Sequence, residues 1–222
     1  MSIQGQFTQE TETGEAFSLQ NNKLLKVELS AVTIQARKGA MVAYQGAVSF
    51  EHQGSGLGRL VKKAVTGEGA PLMAVTGTGE VFLADQAQEI HLIKLENDQI
   101  TCNGRNVLAF DAGIDWDVTR VKGGVSGALA GGLFNITLKG SGWVALCTDG
   151  PPLMLDVAEA PTFADAQAAV AWSSGVSTQL KTDVNLKTLT GRASGETIQV
   201  AFTGQGWLLV QPSEGRIMPQ IG

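Results

Sequence analysis

The chain is short of the residues on which most enzymatic chemistry depends. Two histidines, His52 and His91, occur in 222 residues. A metal centre needs three or four convergent ligands, and neither histidine has a ligand-type residue at a helical or hairpin spacing; His52 merely follows Glu51. The same scarcity excludes most Ser-His-Asp and Cys-His nucleophile schemes. The two cysteines, Cys102 and Cys147, make no CxxC pair and too few cross-links for a disulfide scaffold. They read as small buried hydrophobes in a reducing compartment. No apolar run approaches the roughly 18 residues that span a bilayer. Residues 1–15 are polar and acidic, without the basic and apolar regions of a secretory signal. A soluble, cytoplasmic protein is expected.

Positive charge is also scarce. Sixteen Lys and Arg face 21 Asp and Glu, for a net charge of -5. The densest basic spot, Arg59 with Lys62 and Lys63, is too small for a surface that tracks phosphates. It reads as a solvated loop, and no nucleic-acid partner is expected.

What is present is apolar residues, 43% of the chain, and 28 glycines against 6 prolines. That is enough apolar material for a real core, and enough glycine for many tight turns. The glycines are not scattered at random. An apolar residue, Ala and an aromatic, followed by Gly, occurs as Val42-Ala43-Tyr44, Leu108-Ala109-Phe110 and Val170-Ala171-Trp172, with the alanines 66 and 62 residues apart. A Gly-x-Gly occurs as Gly77-Thr78-Gly79, Gly140-Ser141-Gly142 and Gly204-Gln205-Gly206, with the first glycines 63 and 64 apart. The two patterns keep their phase.

Before each Gly-x-Gly, apolar residues fall at every second place, as in Phe134, Ile136 and Leu138, or Ile198, Val200 and Phe202. After it come Val81 and Leu83, Val144 and Leu146, Leu208 and Val210. Period two marks a strand with one buried face, so each copy is expected to carry a strand, a Gly-x-Gly turn or bulge, and a second strand as a hairpin. Further candidate strands are 25–29, 32–36, 40–50, 90–95, 100–102, 107–118 and 153–157. The Ala-rich stretch 157–171 suits a short helix, although Val170-Ala171-Trp172 at its end suggests a strand. The expected organisation is a polar N-terminal segment (1–23), three β repeats (24–86, 87–150 and 151–212) and a C-terminal tail (213–222). Asp149-Gly150-Pro151-Pro152 marks the turn between the second and third repeats. Three matched units pack most simply as one body about a pseudo-threefold axis.

Gly39-Ala40-Met41-Val42-Ala43-Tyr44-Gln45-Gly46, Gly67-Glu68-Gly69, Gly77-Thr78-Gly79-Glu80-Val81, Ser194-Gly195-Glu196 and Phe202-Thr203-Gly204-Gln205-Gly206 together resemble the altered inheritance of mitochondria protein twenty-four family, from about Lys26 to Pro212. The resemblance implies an all-β fold of tandem antiparallel β-sandwich repeats similar to the tryptophan RNA-binding attenuation protein. The family has many bacterial members of unknown function, and in yeast it is linked to mitochondrial inner-membrane organisation. It offers no established catalytic set, so none is carried over.

The remaining motifs read mostly as structure. Gly77, Gly79, Gly140, Gly142, Gly204 and Gly206 lack the third glycine and helix of a dinucleotide fingerprint, so they are read as structural glycines at positive φ. Gly54-Ser55-Gly56-Leu57-Gly58-Arg59 lacks the Lys-Ser/Thr ending of a P-loop and reads as a loop. Paired carboxylates occur, for example, as Asp111, Asp115 and Asp117; the last two flank Trp116 on one strand face, and a polar solvent face is the plainer reading. Glu68 and Glu196 hold equivalent places, with Gly131-Gly132 in the middle copy, and suit turn caps or a quasi-equivalent contact. The most unusual stretch, Gly123 to Phe134, is apolar, uncharged and Gly-rich. It is either a packed connection or an exposed loop in which Val125, Leu129, Leu133 and Phe134 meet a partner or a membrane surface.

No enzyme and no cofactor is expected. The expected function is a scaffold or binding protein, in a protein assembly or at a membrane, whose partner is an unidentified protein or the chain itself. A small-molecule-binding β-protein, and RNA binding by fold analogy, are the alternatives.

Overall fold

The structure is a computed structural model that describes residues 10–30, 33–52, 72–120, 134–181 and 199–213. Among these residues the fold is all-β, with every pairing given below antiparallel. The strands are β1 (Phe17–Asn21), β2 (Leu24–Ser30), β3 (Ile34–Arg37), β4 (Met41–His52), β5 (Leu72–Leu83), β6 (Glu89–Asn103), β7 (Val107–Asp111), β8 (Asp115–Arg120), β9 (Phe134–Thr148), β10 (Leu153–Asp156), β11 (Thr162–Asp165), β12 (Ala169–Ser173), β13 (Val176–Lys181), β14 (Gln199–Gly204) and β15 (Trp207–Val210).

The chain forms two compact units: Met1–Glu96 with Val107–Ile114 and Ser141–Cys147, and Asn97–Asn106 with Asp115–Gly140 and Thr148–Gly222. In the first, β5 is the organising strand. It pairs β4 through Met73–Leu83, β3 through Leu72–Val75 and β2 through Thr78–Leu83. Alternation sets its face: Leu25, Val27 and Leu29 of β2 meet Val75, Val81 and Leu83 of β5 in the core, and each is essentially inaccessible to water. Each such side chain removed from water contributes about 1.5–3 kcal/mol. In the second unit, β15 lies between β10 and β12, and β14 between β11 and β13. Trp172 and Phe202 meet edge to face there, with ring centroids 5.4 Å apart.

The expected hairpin at each Gly-x-Gly is not what forms. Gly77 to Gly79 lies inside β5 and Gly140 to Gly142 inside β9; Gly204 to Gly206 joins β14 to β15. At each place the strand changes partners instead of reversing. β5 passes from β3 to β2, β9 from β8 to β7, and the third segment from β11 and β13 to β10 and β12. The first glycines hold φ of +122°, +130° and +121°, and the second +144°, +147° and +143°. Side chains rarely adopt that conformation. A Cβ on Gly77 or Gly79 would also run into the carbonyl oxygen of Ala47 or Gln45, and one on Gly204 into that of Gly175. Glycine therefore lets a strand turn a corner while a neighbour stays against it.

A second irregularity also occurs three times. One extra residue interrupts the ladder at Val42 between Met41 and Ala43, at Leu108 between Val107 and Ala109, and at Val170 between Ala169 and Ala171. Its partners are Phe82 and Leu83, Ala145 and Leu146, and Leu209 and Val210, each set three and four residues beyond the second glycine of its Gly-x-Gly. These are β-bulges.

Other expectations need smaller adjustments. Segments 90–95 and 100–102 belong to one strand, β6, while 107–118 divides into β7 and β8 at Ala112–Ile114, where the Ile114 N–H donates to the Asp111 carbonyl at 3.1 Å. The Ala-rich 157–171 holds β11 and the start of β12 and no helix.

Candidate partner-binding surface

Of the four residues expected to meet a partner, Val125, Leu129 and Leu133 lie outside the described residues, as do Gly131 and Gly132. Phe134 opens β9, is half-buried, and lays its ring over Gly104, whose N–H donates to the Phe134 carbonyl at 2.8 Å. It serves packing there. Gly54 to Arg59, Lys62, Lys63, Glu68 and Glu196 also fall outside the described residues.

The residues singled out for chemistry are not brought together. His52 ends β4, opposite Met73. His91 is half-buried on β6; burial pulls its pKa down, and nearby Glu89 opposes this. Asp115 and Asp117 are exposed on β8, on either side of half-buried Trp116. Asp111 is engaged with the backbone, where its Oδ2 accepts the Trp143 N–H at 2.6 Å, beside Gly142. Ser173 does the same farther along the chain, its Oγ accepting the Trp207 N–H at 3.1 Å. Cys102 and Cys147 are both buried and unpaired by any disulfide, and burial pushes the Cys102 thiol pKa well up.

A charged cluster went unread in the sequence. Lys26 stands between Leu25 and Val27, and its side chain is fully buried on the opposite face of β2. Its ammonium lies 2.9 Å from Glu10, 2.9 Å from Glu12, 3.5 Å from Glu28 and 3.2 Å from Glu80. Glu28 and Glu80 are directly opposite in the β2–β5 ladder, a like-charge pair that would repel without it. Burial alone would lower the Lys26 pKa, but the bonds to Glu12, Glu10 and Glu80 outweigh it and raise the value. The Lys26 bond lowers the pKa of Glu12. Glu10, Glu12 and Glu80 are spaced closely enough to hold a cation, and the cation between them is this lysine. The only local hint was a lone Lys at a solvent-face position next to an acidic N-terminal stretch.

The surface that stands out is apolar and lies on sheet edges. Among the described residues, β4 pairs β5 alone, leaving a 12-residue strand with one open edge. Its first four residues include Met41, Val42 and Tyr44, all exposed, with Val42 at 60% and Tyr44 at 49%. The residues with the same bulge and the same phase elsewhere are inaccessible: Leu108 and Phe110 of β7 are at 0%, Val170 of β12 at 0% and Trp172 at 6%. The difference has a visible cause. β7 lies between β9 and β3, and β12 between β15 and β6, so both edges of each are paired. In the second unit Leu153 and Met154 of edge strand β10 and Phe163 of edge strand β11 are also exposed.

Comparison with known proteins agrees with an all-β fold of this kind. The crystal structure of protein SPYM3_0169 from Streptococcus pyogenes is similar, with a TM-score of 0.72 over 89% of this chain and 92% of that one, at 21% sequence identity. No curated protein sequence matches the chain. The model of the family described as Mitochondrial biogenesis AIM24 matches residues 17–213, nearly the whole of the described structure, and the chain belongs to that family.

Proposed function

We propose that the chain is a non-enzymatic scaffold or binding protein built from three tandem sheet repeats, 24–86, 87–150 and 151–212, similar to the module of the tryptophan RNA-binding attenuation protein and related by a pseudo-threefold. The observation that carries this reading is the recurrence of one pairing scheme. The bulges at Val42, Leu108 and Val170 each face the residues three and four beyond the second glycine of a corner. Polar residues at equivalent places are engaged in that frame: Asp111 and Ser173 each hold a backbone N–H beside the corner. A repeated frame with exposed apolar strands suits recognition of protein better than chemistry on a small substrate. The net charge of -5 opposes RNA as the partner.

The test is affinity capture of the intact chain from its native host, with quantitative mass spectrometry, beside a panel of ester, phosphate and glycoside substrates. A stoichiometric protein partner or the chain itself is expected, with no turnover. Turnover that co-purifies with the chain and is lost in Asp115→Asn would overturn the proposal.

A further inference from the structure

We infer that residues 10–12 form a latch over the outer face of β1 and β2, pinned by Lys26 and Gln20, which opens at Gly14 in acid or high salt while the sheet beneath stays folded. The latch lies wholly within the first compact unit and owes nothing to the scaffold reading.

The face it covers is the one turned away from the core. Ser18 of β1 is opposite Lys26 of β2, and Lys26 is opposite Phe82 of β5, so the three stand in one cross-strand row. Alternation aims this row outward, because Leu25 and Val27 are buried on the other side. A serine and a lysine there belong in water, yet Ser18 is 3% exposed and Lys26 0%. The segment ahead of β1 passes over them. Glu10 and Glu12 each reach the Lys26 ammonium at 2.9 Å. Between them Thr11 is held by its backbone: its N–H donates to Gln20 Oε1 at 2.7 Å, and its carbonyl accepts from Gln20 Nε2 at 3.0 Å. The Gln20 amide thus pairs with Thr11 as a neighbouring strand would. Gly14, at a φ of +75°, turns the chain back toward β1, and a Cβ added there would meet nothing within 4 Å. The Glu15 N–H donates to Thr13 Oγ1 at 3.3 Å within that turn.

The latch and the sheet are held by different forces. Residues 10–15 read Glu-Thr-Glu-Thr-Gly-Glu and all are exposed, so no apolar side chain pins them. β1, β2 and β5 instead bury Phe17, Leu25, Val27 and Val81. A segment held by a few exposed bonds opens locally, without global unfolding. The charged groups facing Lys26 are Glu10 and Glu12 of the latch, Glu28 of β2 and Glu80 of β5; β1 contains no ionisable residue. Glu28 and Glu80 keep their places in the ladder whether the latch is closed or open. The Lys26 bond holds the Glu12 pKa below its ordinary 4.5 when the latch is closed, so the open form takes up the proton first. Closure is therefore complete above about pH 4.5 and weakens as pH falls through the lower closed value, by up to about tenfold per pH unit for one proton. Lys26, its pKa raised, stays charged throughout. Salt screens the same exposed pairs at neutral pH.

Hydrogen exchange of the full chain, read residue by residue by NMR and corrected for the intrinsic rate at each pH, tests the latch. The Thr11 amide reports the latch, and the amides paired between β2 and β5 report the sheet. Thr11 is expected to be protected at about pH 6, yet at least about a hundredfold less than the ladder amides. Its protection should fall at least about threefold by about pH 3, with the ladder amides still protected. Glu12→Gln, or about 1 M salt, should bring the same fall at about pH 6. Thr11 protection equal to that of the ladder would mean that the segment leaves only with the sheet, and would overturn the inference. So would Thr11 protection that ignores acid, salt and Glu12→Gln alike, a ladder that loses its protection in acid, or a Thr11 amide unprotected at about pH 6. No partner or turnover enters these measurements, so the scaffold reading stands or fails separately.

Discussion

Lys26 illustrates how a single side chain can be costly to remove without being catalytic. Four carboxylates converge on one buried ammonium, and two of them, Glu10 and Glu12, come from the segment ahead of β1. The pH dependence follows from the directions of the shifts. The folded pKa of Glu12 lies below its ordinary 4.5, so the unfolded chain takes up the proton first on acidification. The stability that Glu12 contributes is present above about pH 4.5 and is lost as pH falls through its lower folded value. The folded pKa of Lys26 is raised, so its contribution is complete below the ordinary lysine value of about 10.4 and declines only as pH rises through the higher folded one. Urea unfolding of the wild type and Glu12→Gln should therefore show a gap at pH 7 that closes as pH drops below about 4.5. A gap of the same size at pH 3 would mean the ion pair is not its source. This cluster was illegible in the sequence because its members are dispersed. Glu80 is 54 residues from Lys26, and nothing local announces that they meet.

At the scale of elements, the sequence told where the glycine pairs recur but not what they do. Two glycines at positive φ suit a hairpin turn and a corner equally, and period-two alternation on both sides fits either. Only pairing distinguishes them, and pairing is long-range. The expected consequence is a sharp contrast between glycines. Gly79→Ala places a Cβ against the Gln45 carbonyl at a φ of +144° and should cost at least about 2 kcal/mol. Gly113→Ala, with nothing within 4 Å of the added carbon, should stay within about 0.5 kcal/mol of the wild type. Equal effects in thermal or urea unfolding would show that the corner is not strained in this way. The bulged strands carry a second lesson. Val42, Leu108 and Val170 are chemically alike, yet one is exposed and two are buried. Residue type and spacing could not foretell that, because the difference lies in whether a neighbouring strand occupies the second edge.

For the whole molecule, the all-β class was legible because apolar alternation and glycine placement are both local signals. The division into two compact units was not, since β6 and β9 each contribute residues to both. The cysteines offer a probe of each unit. Cys147 belongs to the first and Cys102 to the second, and both are fully buried. Thiols in apolar surroundings stay protonated and unreactive. A thiol reagent should leave both unlabelled under native conditions and modify them only as denaturant unfolds the unit that holds each. Rapid labelling of either without denaturant would contradict its burial.

The partner-changing strands also have a temporal consequence. β2, β3 and β4 all precede β5, and β7 and β8 precede β9; likewise β10 to β13 come before β14 and β15. A ribosome therefore releases several apolar ribbons before the segment that joins them, and of the pairings in the first stretch only β1 with β2 can form early. The nascent chain spends part of its synthesis as an unfinished ladder, a period in which a chaperone or a misplaced neighbour competes for the same hydrogen bonds.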